Sequence, residues 1–392
     1  MGANVAVIVG SFPQWSERFI VRETAELLRR GIPVTIFALR RGTLPFRGDP
    51  EIDPLRPHVQ MLPRTLTAAV FNLGNFPLGE QRSAVHRELG LGGLARSMKS
   101  RSLVRHLRQG GFTHLHAHFA NWPSTLGWLA ARETGLPFTF SAHARDLFVE
   151  PQLLEEKAAD AVAFFACHRR GYERLRQLAA GSRAVWMHHG LPLESFPFRG
   201  SQAPGREGRP ARLVCAGRFV AKKGLTDLLA ALAHKELRAR NLEVALVGAG
   251  DRRWELEDAV AHHRLGDRVR FVAPERGVDL VERMRSADLL VVPCRNADDG
   301  DSDGVPNVLL EAFALGLPVV GTDAGSLPEA LTPERGFVAP ADDSASLAGT
   351  VAEALDRPAE AALRARAARA WVEAHHDIRT AIAPLLRVVG AE

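Results

Sequence analysis

Residues 213–232 read LVCAGRFVAKKGLTDLLAAL, in which a basic turn separates two apolar segments. The first segment predicts a buried strand over 213–216, and the second predicts a helix over 225–232. Arg218 and Lys223 therefore lie just after the carboxyl end of a strand, where doubly wound α/β folds bind ligands and a helix N-terminus favours anions. They are candidate ligands for a diphosphate. The alternative is an ordinary solvated basic turn.

The alternation of strand and helix continues on both sides of this segment. Downstream, short apolar runs separated by helical segments predict further strands at 243–247, 269–272, 289–293 and 319–322. Upstream, the same pattern predicts strands at 4–9, 34–39, 114–119, 138–142 and 161–166, and helices at 16–30, with Ser16 as N-cap, 126–134 and 153–159. The fold class is therefore α/β, with two doubly wound parallel sheets.

The chain is long enough for two domains, because 392 residues of which 46% are apolar exceed what one hydrophobic core usually serves. The pattern dissolves into a polar stretch rich in glycine and proline at 197–211, which predicts a linker. We therefore predict an N-terminal domain over 1–196 and a C-terminal domain over 212–374. Residues 376–389 place apolar side chains at helical spacing and need a partner surface.

Composition narrows the function classes. The net charge of +5 is mild, and almost all cations are arginine, which suits phosphate and carboxylate ligands. The arginines are spread evenly, so we predict no nucleic-acid binding. No apolar run reaches about eighteen residues, and the chain enters a strand at once, so we expect a cytoplasmic protein. Cys167, Cys215 and Cys294 form no CxxC pair, and we interpret them as reduced thiols.

An acidic run at 298–304 precedes a predicted helix with Pro306 in its first turn. Backbone N–H groups at this helix start would face a phosphate. The aspartate spacing is that of half an EF-hand loop, but the twelfth position is Leu310, so we reject calcium. Glu311 lies in an otherwise apolar helix, where a ribose diol is a fitting partner. The alternative places Glu311 on a solvated face.

Gly248 and Gly250 follow a predicted strand, as in a dinucleotide-binding turn. Arg253 stands where that fingerprint needs its third glycine, and close helix packing is then lost. We interpret the segment as a tight turn between a strand and a helix and reject a nicotinamide cofactor.

His114, His116 and His118 alternate along one predicted strand, so their side chains share a face. Nothing nearby supplies a clear fourth ligand with metal spacing, so we predict a polar strand end and no metal site. His143 follows the next strand at the edge where ligands bind. A structural core histidine is the alternative.

Two segments of the first half do not follow the alternation. Residues 65–79 are uncharged and moderately apolar, whereas residues 94–108 are rich in lysine and arginine. We interpret the basic segment as a solvated helix. Peripheral attachment to an anionic membrane surface, at the inner face of the cytoplasmic membrane, is the alternative.

Together these motifs resemble the family 4 retaining glycosyltransferases, especially the bacterial branch that works on polysaccharide or lipid-linked glycans. The resemblance spans nearly the whole chain. In the first half it includes SFP at 11–13, SERFI at 16–20, HAHF at 116–119, SAHARDLF at 141–148 and HGLP at 189–192. In the second half it includes GRF at 217–219, KG at 223–224, LVGAG at 246–250, and the segment from Asp303 through Glu311 to Gly316.

The resemblance implies the GT-B architecture, in which two Rossmann-like domains face each other across a cleft and the C-terminal helix, within 375–392, returns to the first domain. It implies a nucleoside-diphosphate sugar as donor. Arg218 and Lys223 would hold the diphosphate, and Glu311 the ribose. Asp303 would bind a hydroxyl of the sugar, and His143 would approach that sugar from the first domain. The other donor-side candidates are Gly248, Gly250, Gly304, Asn307 and Val308, and the acceptor-side candidates are Ser11, Phe12, Ser16, His118, Arg145 and Asp146.

The resemblance further implies transfer with retention of configuration onto a glycan or lipid-linked acceptor. Two cations and a helix N-terminus would stabilise the leaving diphosphate, so we expect no metal requirement and no cofactor. The family usually has glutamate where this chain has Asp303, and the shorter side chain bears on which sugar is transferred. A nucleotide-sugar epimerase of the same architecture and an inactive nucleotide-sugar-binding protein are the alternatives.

Overall fold

The computed structural model describes residues 2–44, 48–63, 85, 87–90, 93, 98–200, 208–297 and 300–391. By its internal contacts the chain forms an N-terminal unit, Met1–His188 with Ala381–Glu392, and a C-terminal unit, His189–Thr380. The uncharged segment 65–79 lies outside the described residues.

Seven strands form the sheet of the N-terminal unit, in the order β3-β2-β1-β4-β5-β6-β7. They are β1 (Val5–Phe12), β2 (Val34–Arg41), β3 (Val59–Met61), β4 (His114–His118), β5 (Phe138–Ala142), β6 (Ala163–Ala166) and β7 (Ala184–Trp186). The helices that follow in the chain are α1 (Arg18–Arg29), α2 (Lys99–Gln109), α3 (Trp122–Thr134), α4 (Arg145–Phe148), α5 (Leu154–Asp160) and α6 (Arg169–Arg176).

Six strands form the sheet of the C-terminal unit, in the order β10-β9-β8-β11-β12-β13. They are β8 (Ala211–Ala216), β9 (Leu242–Val247), β10 (Val269–Val272), β11 (Leu289–Val292), β12 (Val319–Thr322) and β13 (Phe337–Ala339). The helices of this part of the chain are α7 (Leu225–Ala233), α8 (Lys235–Arg238), α9 (Arg253–His262), α10 (Gly277–Ser286), α11 (Asn307–Leu315), α12 (Leu327–Ala330), α13 (Ser344–Asp356), α14 (Pro358–His375) and α15 (Ile378–Ala381), and α16 (Ala383–Val389) follows in the N-terminal unit.

Every strand pairing in both sheets is parallel. Strand β1 shows why these segments become central strands. Ala6 and Ile8 pack into one hydrophobic cluster, whereas Val5, Val7 and Val9 pack into another. Because side chains alternate along a strand, a strand buried on both faces needs a continuous apolar run. The predicted α/β class, with two doubly wound Rossmann-like sheets, is confirmed.

The strand order reverses between β1 and β4 in the first sheet and between β8 and β11 in the second. The loops after two such neighbouring strands leave in opposite directions and open a crevice at their carboxyl ends. Each unit therefore has one topologically defined place for a ligand.

The chain passes between the units at His188 and His189, earlier than the predicted domain end at 196. Leu191 and Phe196 belong to the apolar core of the C-terminal unit, which explains the earlier boundary. Part of the predicted linker 197–211 is likewise packed, since Arg199 donates a hydrogen bond to the carbonyl oxygen of Ala287 at 2.6 Å. The return passage lies at Thr380 and Ala381 and not at the predicted 374/375.

Two helix predictions are corrected. Ser16 is not the N-cap of α1, because a 3-10 helix, Trp15–Glu17, precedes it and α1 begins at Arg18. The predicted helix 376–389 is divided into α15 and α16, since Pro384 stands in the first turn of α16 and cannot continue a preceding helix.

Helix α16 returns to the N-terminal unit, as the resemblance implied. Its apolar residues pack in the same hydrophobic cluster as β1 and α1, and they are Ile382 just before it, Leu385, Leu386 and Val389. The last helix is therefore part of the core of the first unit.

Replacing Leu385 with alanine should lower the free energy of unfolding by about 2–5 kcal/mol, because a fully buried leucine is lost from a packed core. Urea unfolding followed by circular dichroism measures the change. Leu363→Ala, at a leucine that is 65% exposed, is the matched control and should shift stability little. Equal effects of the two substitutions would contradict the docking of α16.

Candidate active site

Strands β8 and β11 end side by side, and the loops that follow them pack against each other. The first loop runs through a 3-10 helix, Ala221–Lys223, into α7. The backbone N–H of Arg295, in the second loop, donates to the carbonyl oxygen of Lys222 at 2.9 Å. Gly224 has φ 58°, and a Cβ there would lie 1.7 Å from the carbonyl oxygen of Pro293. Only glycine permits this approach of the two loops.

Buried charges join the same two loops. Lys222 Nζ lies 2.9 Å from Asp301 Oδ1 and 3.3 Å from Asp303 Oδ1, and Lys223 Nζ donates to Asp303 Oδ2. The Cys294 thiol also donates to Asp303 Oδ2, at 3.3 Å. These lysine and aspartate side chains are between 5% and 16% exposed. A buried charge is tolerated only when it is paired and hydrogen-bonded, so the four groups depend on one another.

The ion pairs keep both Asp303 and Lys223 charged at neutral pH. Burial alone raises the pKa of Asp303, but Lys223 and Lys222 outweigh it and hold that pKa at about 2. Burial likewise opposes the charged form of Lys223, yet the Asp303 carboxylate raises the pKa of this lysine above its ordinary value. The site therefore contains fixed charges of both signs.

The remaining donor-side candidates surround this pair. Arg218 is exposed at the end of β8. Gly304 is half-buried in the loop before α11, which begins at Asn307, so the N–H groups of Asn307 and Val308 have no acceptor within the helix. Glu311 is 5% exposed, which excludes the solvated face considered for it. The two loops and helix α11 thus carry three groups that suit a nucleotide-sugar. They are the exposed cation of Arg218, the N–H groups at the start of α11 and the buried carboxylate of Glu311.

Gly248 and Gly250 stand against the first loop and form the tight turn predicted for them. A Cβ on Gly248 would lie 2.0 Å from the carbonyl oxygen of Gly217, and one on Gly250 would lie 2.3 Å from that of Phe219. The backbone N–H of Phe219 donates to the carbonyl oxygen of Ala249 at 2.9 Å. These glycines support the loop that carries Arg218, and any donor contact would be through the backbone.

The structure also shows what the aspartates with EF-hand spacing contact and in what state the cysteines are. Asp301 and Asp303, two of the aspartates with EF-hand spacing, direct their carboxylates at Lys222 and Lys223. No disulfide joins the cysteines, as predicted, and burial raises the pKa of Cys215 to about 12. The carboxylates of Asp301 and Asp303 are therefore paired with lysine ammonium groups, and Cys215 is held as a thiol.

In the N-terminal unit, His143 lies in the loop after β5 and is half-buried. Its backbone N–H donates to Asp146 Oδ1 at 3.1 Å, and its carbonyl oxygen lies 2.8 Å from His168 Nε2. The imidazole centroid is 4.8 Å from the ring of Phe19 and 4.5 Å from that of Phe119. Both the backbone and the ring of His143 are therefore held in place.

Asp146 and Lys157 stabilise the loop beside His143. Asp146 Oδ2 accepts from the backbone N–H of Ala120 at 2.6 Å, and Lys157 Nζ donates to the carbonyl oxygen of Ala120 at 2.7 Å and to Ser124 Oγ at 3.0 Å. Burial raises the pKa of Asp146 despite its backbone hydrogen bonds. Burial lowers the pKa of Lys157 to about 7, although Asp146 opposes the shift.

Half of the predicted acceptor residues are buried. Phe12, His118 and Asp146 are at most 2% exposed, since Phe12 packs in the core, His118 lies beside Glu23, and Asp146 accepts backbone hydrogen bonds. Their predicted direct contact with an acceptor is corrected to a supporting position. The other three are more accessible: Ser11 and Ser16 are half-buried, and Arg145 is exposed and paired with Glu150 at 2.8 Å.

The described part of the basic segment is helix α2, which was predicted to be a solvated helix. Leu103 and Leu107 are buried in the core, and Arg101 lies 3.2 Å from Glu133. Arg105 and Arg108 are exposed. Across the part of the chain that the structure describes, no helix has both the length and the apolar character needed to cross a membrane.

Sequence reasoning did not assign four residues that shape these sites, and they are Glu23, Lys157, Lys222 and Cys294. Lys222 had a visible signal, because it stands next to Lys223 in the same basic turn. Glu23 and Lys157 had none, since their partners come from distant parts of the sequence. Cys294 lies only nine residues from Asp303, but no motif marks it.

The fold and the two sets of strand-end residues define the class of the protein, which is a two-unit Rossmann-like protein of the GT-B type. Solved glycosyltransferase structures share this fold. One is Anabaena HepE in complex with UDP and glucose, with a TM-score of 0.73, 16% sequence identity and coverage of 100% of both chains. Residues 200–371 match the family Glycosyl transferases group 1, and the chain carries a domain of that family.

The chain is also similar to two proteins that are named as glycosyltransferases. The chain is 30% identical over 239 residues to the amylovoran biosynthesis glycosyltransferase AmsK of Erwinia amylovora, a match that covers 57% of this chain and 59% of the relative. It is 32% identical over 292 residues to the D-inositol 3-phosphate glycosyltransferase of Saccharomonospora viridis, covering 66% of each. Each match thus spans less than two thirds of the relative's length.

Lys157 should make stability depend on pH. Its pKa is about 7 when folded and 10.5 when exposed, so between these values only the unfolded chain binds the proton. The free energy of unfolding then rises with pH. The free energy of unfolding of the wild type should therefore rise, relative to that of Lys157→Met, by up to about 1.4 kcal/mol per pH unit. Urea unfolding from about pH 7 to about pH 9 measures this, and a difference between the two proteins that is constant with pH would contradict it.

Proposed function

We propose that this chain is a glycosyltransferase that moves a sugar from a nucleoside-diphosphate sugar to a glycan or lipid-linked acceptor. The observation that carries the proposal is the arrangement at the carboxyl ends of β8 and β11. There the Lys223–Asp303 pair, the exposed Arg218 and the start of α11 lie on adjoining loops, within a domain of the group 1 family. Each of these groups suits one part of a nucleotide-sugar.

The proposed donor site separates the parts of the ligand by charge. The diphosphate binds Lys223, Arg218 and the N–H groups at the start of α11, where cations and helix dipole act together. The buried carboxylate of Glu311 accepts hydrogen bonds from the ribose. Because Asp303 is in contact with Lys223, a diphosphate on that lysine brings the attached sugar near the Asp303 carboxylate. Asp303 then accepts a hydrogen bond from a sugar hydroxyl.

The proposed chemistry is charge stabilisation at a leaving group. As the glycosidic bond to the diphosphate breaks, negative charge grows on the phosphate oxygen, and fixed cations stabilise it more in the transition state than in the ground state. The acceptor hydroxyl attacks from the same face of the sugar and passes its proton to that oxygen, so configuration is retained. We assign no divalent metal to this step. In the N-terminal unit, we assign His143 to the transfer step because it is a positioned polar side chain at the sheet edge.

The names of two relatives and the ligands of one solved structure support a choice of acceptor and donor. AmsK is named for amylovoran biosynthesis, and the second relative for transfer to an inositol phosphate, so both names point to polyhydroxylated acceptors. HepE was solved in complex with UDP and glucose, which makes uridine donors the first to test. We therefore propose a polysaccharide or lipid-linked glycan as acceptor.

Nucleoside diphosphates should raise the melting temperature of the chain in the absence of divalent metal. A ligand present at about 100 times its dissociation constant adds about 2.7 kcal/mol to the free energy of unfolding. Differential scanning fluorimetry with UDP, GDP, ADP and dTDP in chelator measures the shift. Lys223→Ala should abolish it, whereas Lys235→Ala, at an 85% exposed side chain, should not. No shift with any diphosphate, or an equal shift in Lys223→Ala, would contradict the donor site.

Once a donor is known, Lys223→Ala should lower turnover by about 10²–10³-fold, since one stabilising group at the leaving charge is lost. Release of the nucleoside diphosphate in the presence of a panel of glycan acceptors measures turnover, and Lys235→Ala is again the control. Turnover of Lys223→Ala near the wild-type value would remove the diphosphate assignment. Acceptor-independent conversion of the donor sugar would indicate an epimerase, and binding without turnover an inactive protein.

A further inference from the structure

We infer that the N-terminal unit contains a binding site for a zinc-class divalent metal ion, formed by Glu23, His116 and His118. One ligand atom from each of the three residues lies within 4.8 Å of the others. The sequence prediction of no metal site rested on the histidines of β4 alone. Helix α1 brings Glu23 to them, and this changes the chemistry of the cluster.

The cluster lies in the interior, between helix α1 and strand β4. His116 and His118 are two residues apart on the strand, so their side chains point to the same face. Glu23 Oε1 lies 3.1 Å from His118 Nε2 and 3.7 Å from His116 Nε2. All three residues are buried. A carboxylate thus faces two imidazole nitrogens in a place that bulk water does not reach.

The contacts of His116 allow its proton to lie on Nδ1, away from Glu23. The hydroxyl oxygen of Thr139 lies 2.8 Å from His116 Nδ1 and 2.8 Å from His114 Nε2, and because this hydroxyl has a single proton, at least one of the two ring nitrogens donates to it. A metal-bound His116 would donate from Nδ1 to this hydroxyl. Its Nε2 then carries a lone pair and lies 3.7 Å from the Glu23 carboxylate.

The contacts of Ser141 and His118 determine which ring nitrogens an ion could bind. The Ser141 hydroxyl lies 3.2 Å from His116 Nε2 and can rotate its proton away. Among the described residues, neither ring nitrogen of His118 has a hydrogen-bond partner, because its 3.1 Å contact with Glu23 lacks hydrogen-bond alignment. Leaving a buried polar group unsatisfied costs about 1–3 kcal/mol. A cation between these atoms would give a ring nitrogen of His118 the partner that it lacks and would also bind the Glu23 carboxylate.

The donor set selects the kind of ion. Two imidazoles and one carboxylate suit zinc and its neighbours in the first transition series better than magnesium or calcium, which prefer oxygen ligands. The Thr139 contact with Nδ1 is the outer-shell hydrogen bond that orients a metal-binding histidine. Three protein ligands leave a fourth position for water.

An ion bound by Glu23 of α1 and by His116 and His118 of β4 would link the helix to the sheet near His143. Phe19, on the same helix as Glu23, lies 5.9 Å from the ring of His118 and 4.8 Å from that of His143. The role we assign to the ion is therefore structural, in the N-terminal unit alone. It is independent of the proposed donor site, whose ligands all belong to the C-terminal unit.

Metal content of the full chain tests the inference. The protein is stripped with chelator, loaded with Zn²⁺ both as the folded protein and during refolding because the ligands are buried, desalted, and analysed by mass spectrometry. We expect one zinc per chain. With Co²⁺ as the probe, we expect the intense visible absorption of a four-coordinate ion. Zinc retained by neither preparation, or cobalt bound without that spectrum, would overturn the inference.

Matched variants locate the ion. His118→Gln and Glu23→Gln should lose the bound zinc, whereas His106→Gln, at a histidine of helix α2 in the same unit and outside the cluster, should keep it. Circular dichroism checks that each variant folds, and the cobalt spectrum of the wild type tests the inference without any variant. Equal zinc in wild type and His118→Gln would overturn the assignment. His118→Gln should keep the melting-temperature shift with a nucleoside diphosphate, so failure here is distinct from failure of the proposed function.

Discussion

The carboxylate of Asp303 holds together the two loops that close the carboxyl edge of the second sheet. It binds both Lys222 and Lys223, and it also accepts from the Cys294 thiol. Because these charges are buried, moving either loop away would leave an uncompensated charge in the interior. The loops are therefore held in one arrangement before any ligand arrives. Such preorganisation is what stabilisation of a leaving diphosphate requires, since the groups need not reorganise when charge develops.

Buried charge has a comparable role at the edge of the first sheet, with different partners. Asp146 accepts from the backbone N–H groups of Ala120 and His143, and Lys157 donates to the carbonyl oxygen of Ala120. These contacts stabilise the loops after β4 and β5 through the backbone. Both units thus use buried charged or titratable side chains to hold the loops at the carboxyl edge of the sheet.

The fold could be predicted because the central strands are buried on both faces and appear as plain apolar runs. The strands predicted at 269–272 and 319–322 have the observed bounds, and the basic turn after β8 lies where the strand-end rule placed it. Burial could not be predicted from motifs. Phe12 and His118 stand in motifs shared with the family, yet both are buried. The proximity of Glu23 to His118 and the unit boundary at His188 arise from tertiary packing, which has no local signal.

The central claim is that a nucleoside diphosphate binds where β8 and β11 end. Hydrogen–deuterium exchange of the chain with and without a stabilising diphosphate tests it most directly, because binding slows exchange of the backbone groups that it orders or covers. The account predicts that protection concentrates in the loop 217–224 and in the loop and helix start at 303–311. Protection confined to other segments, with these two unchanged, would contradict it.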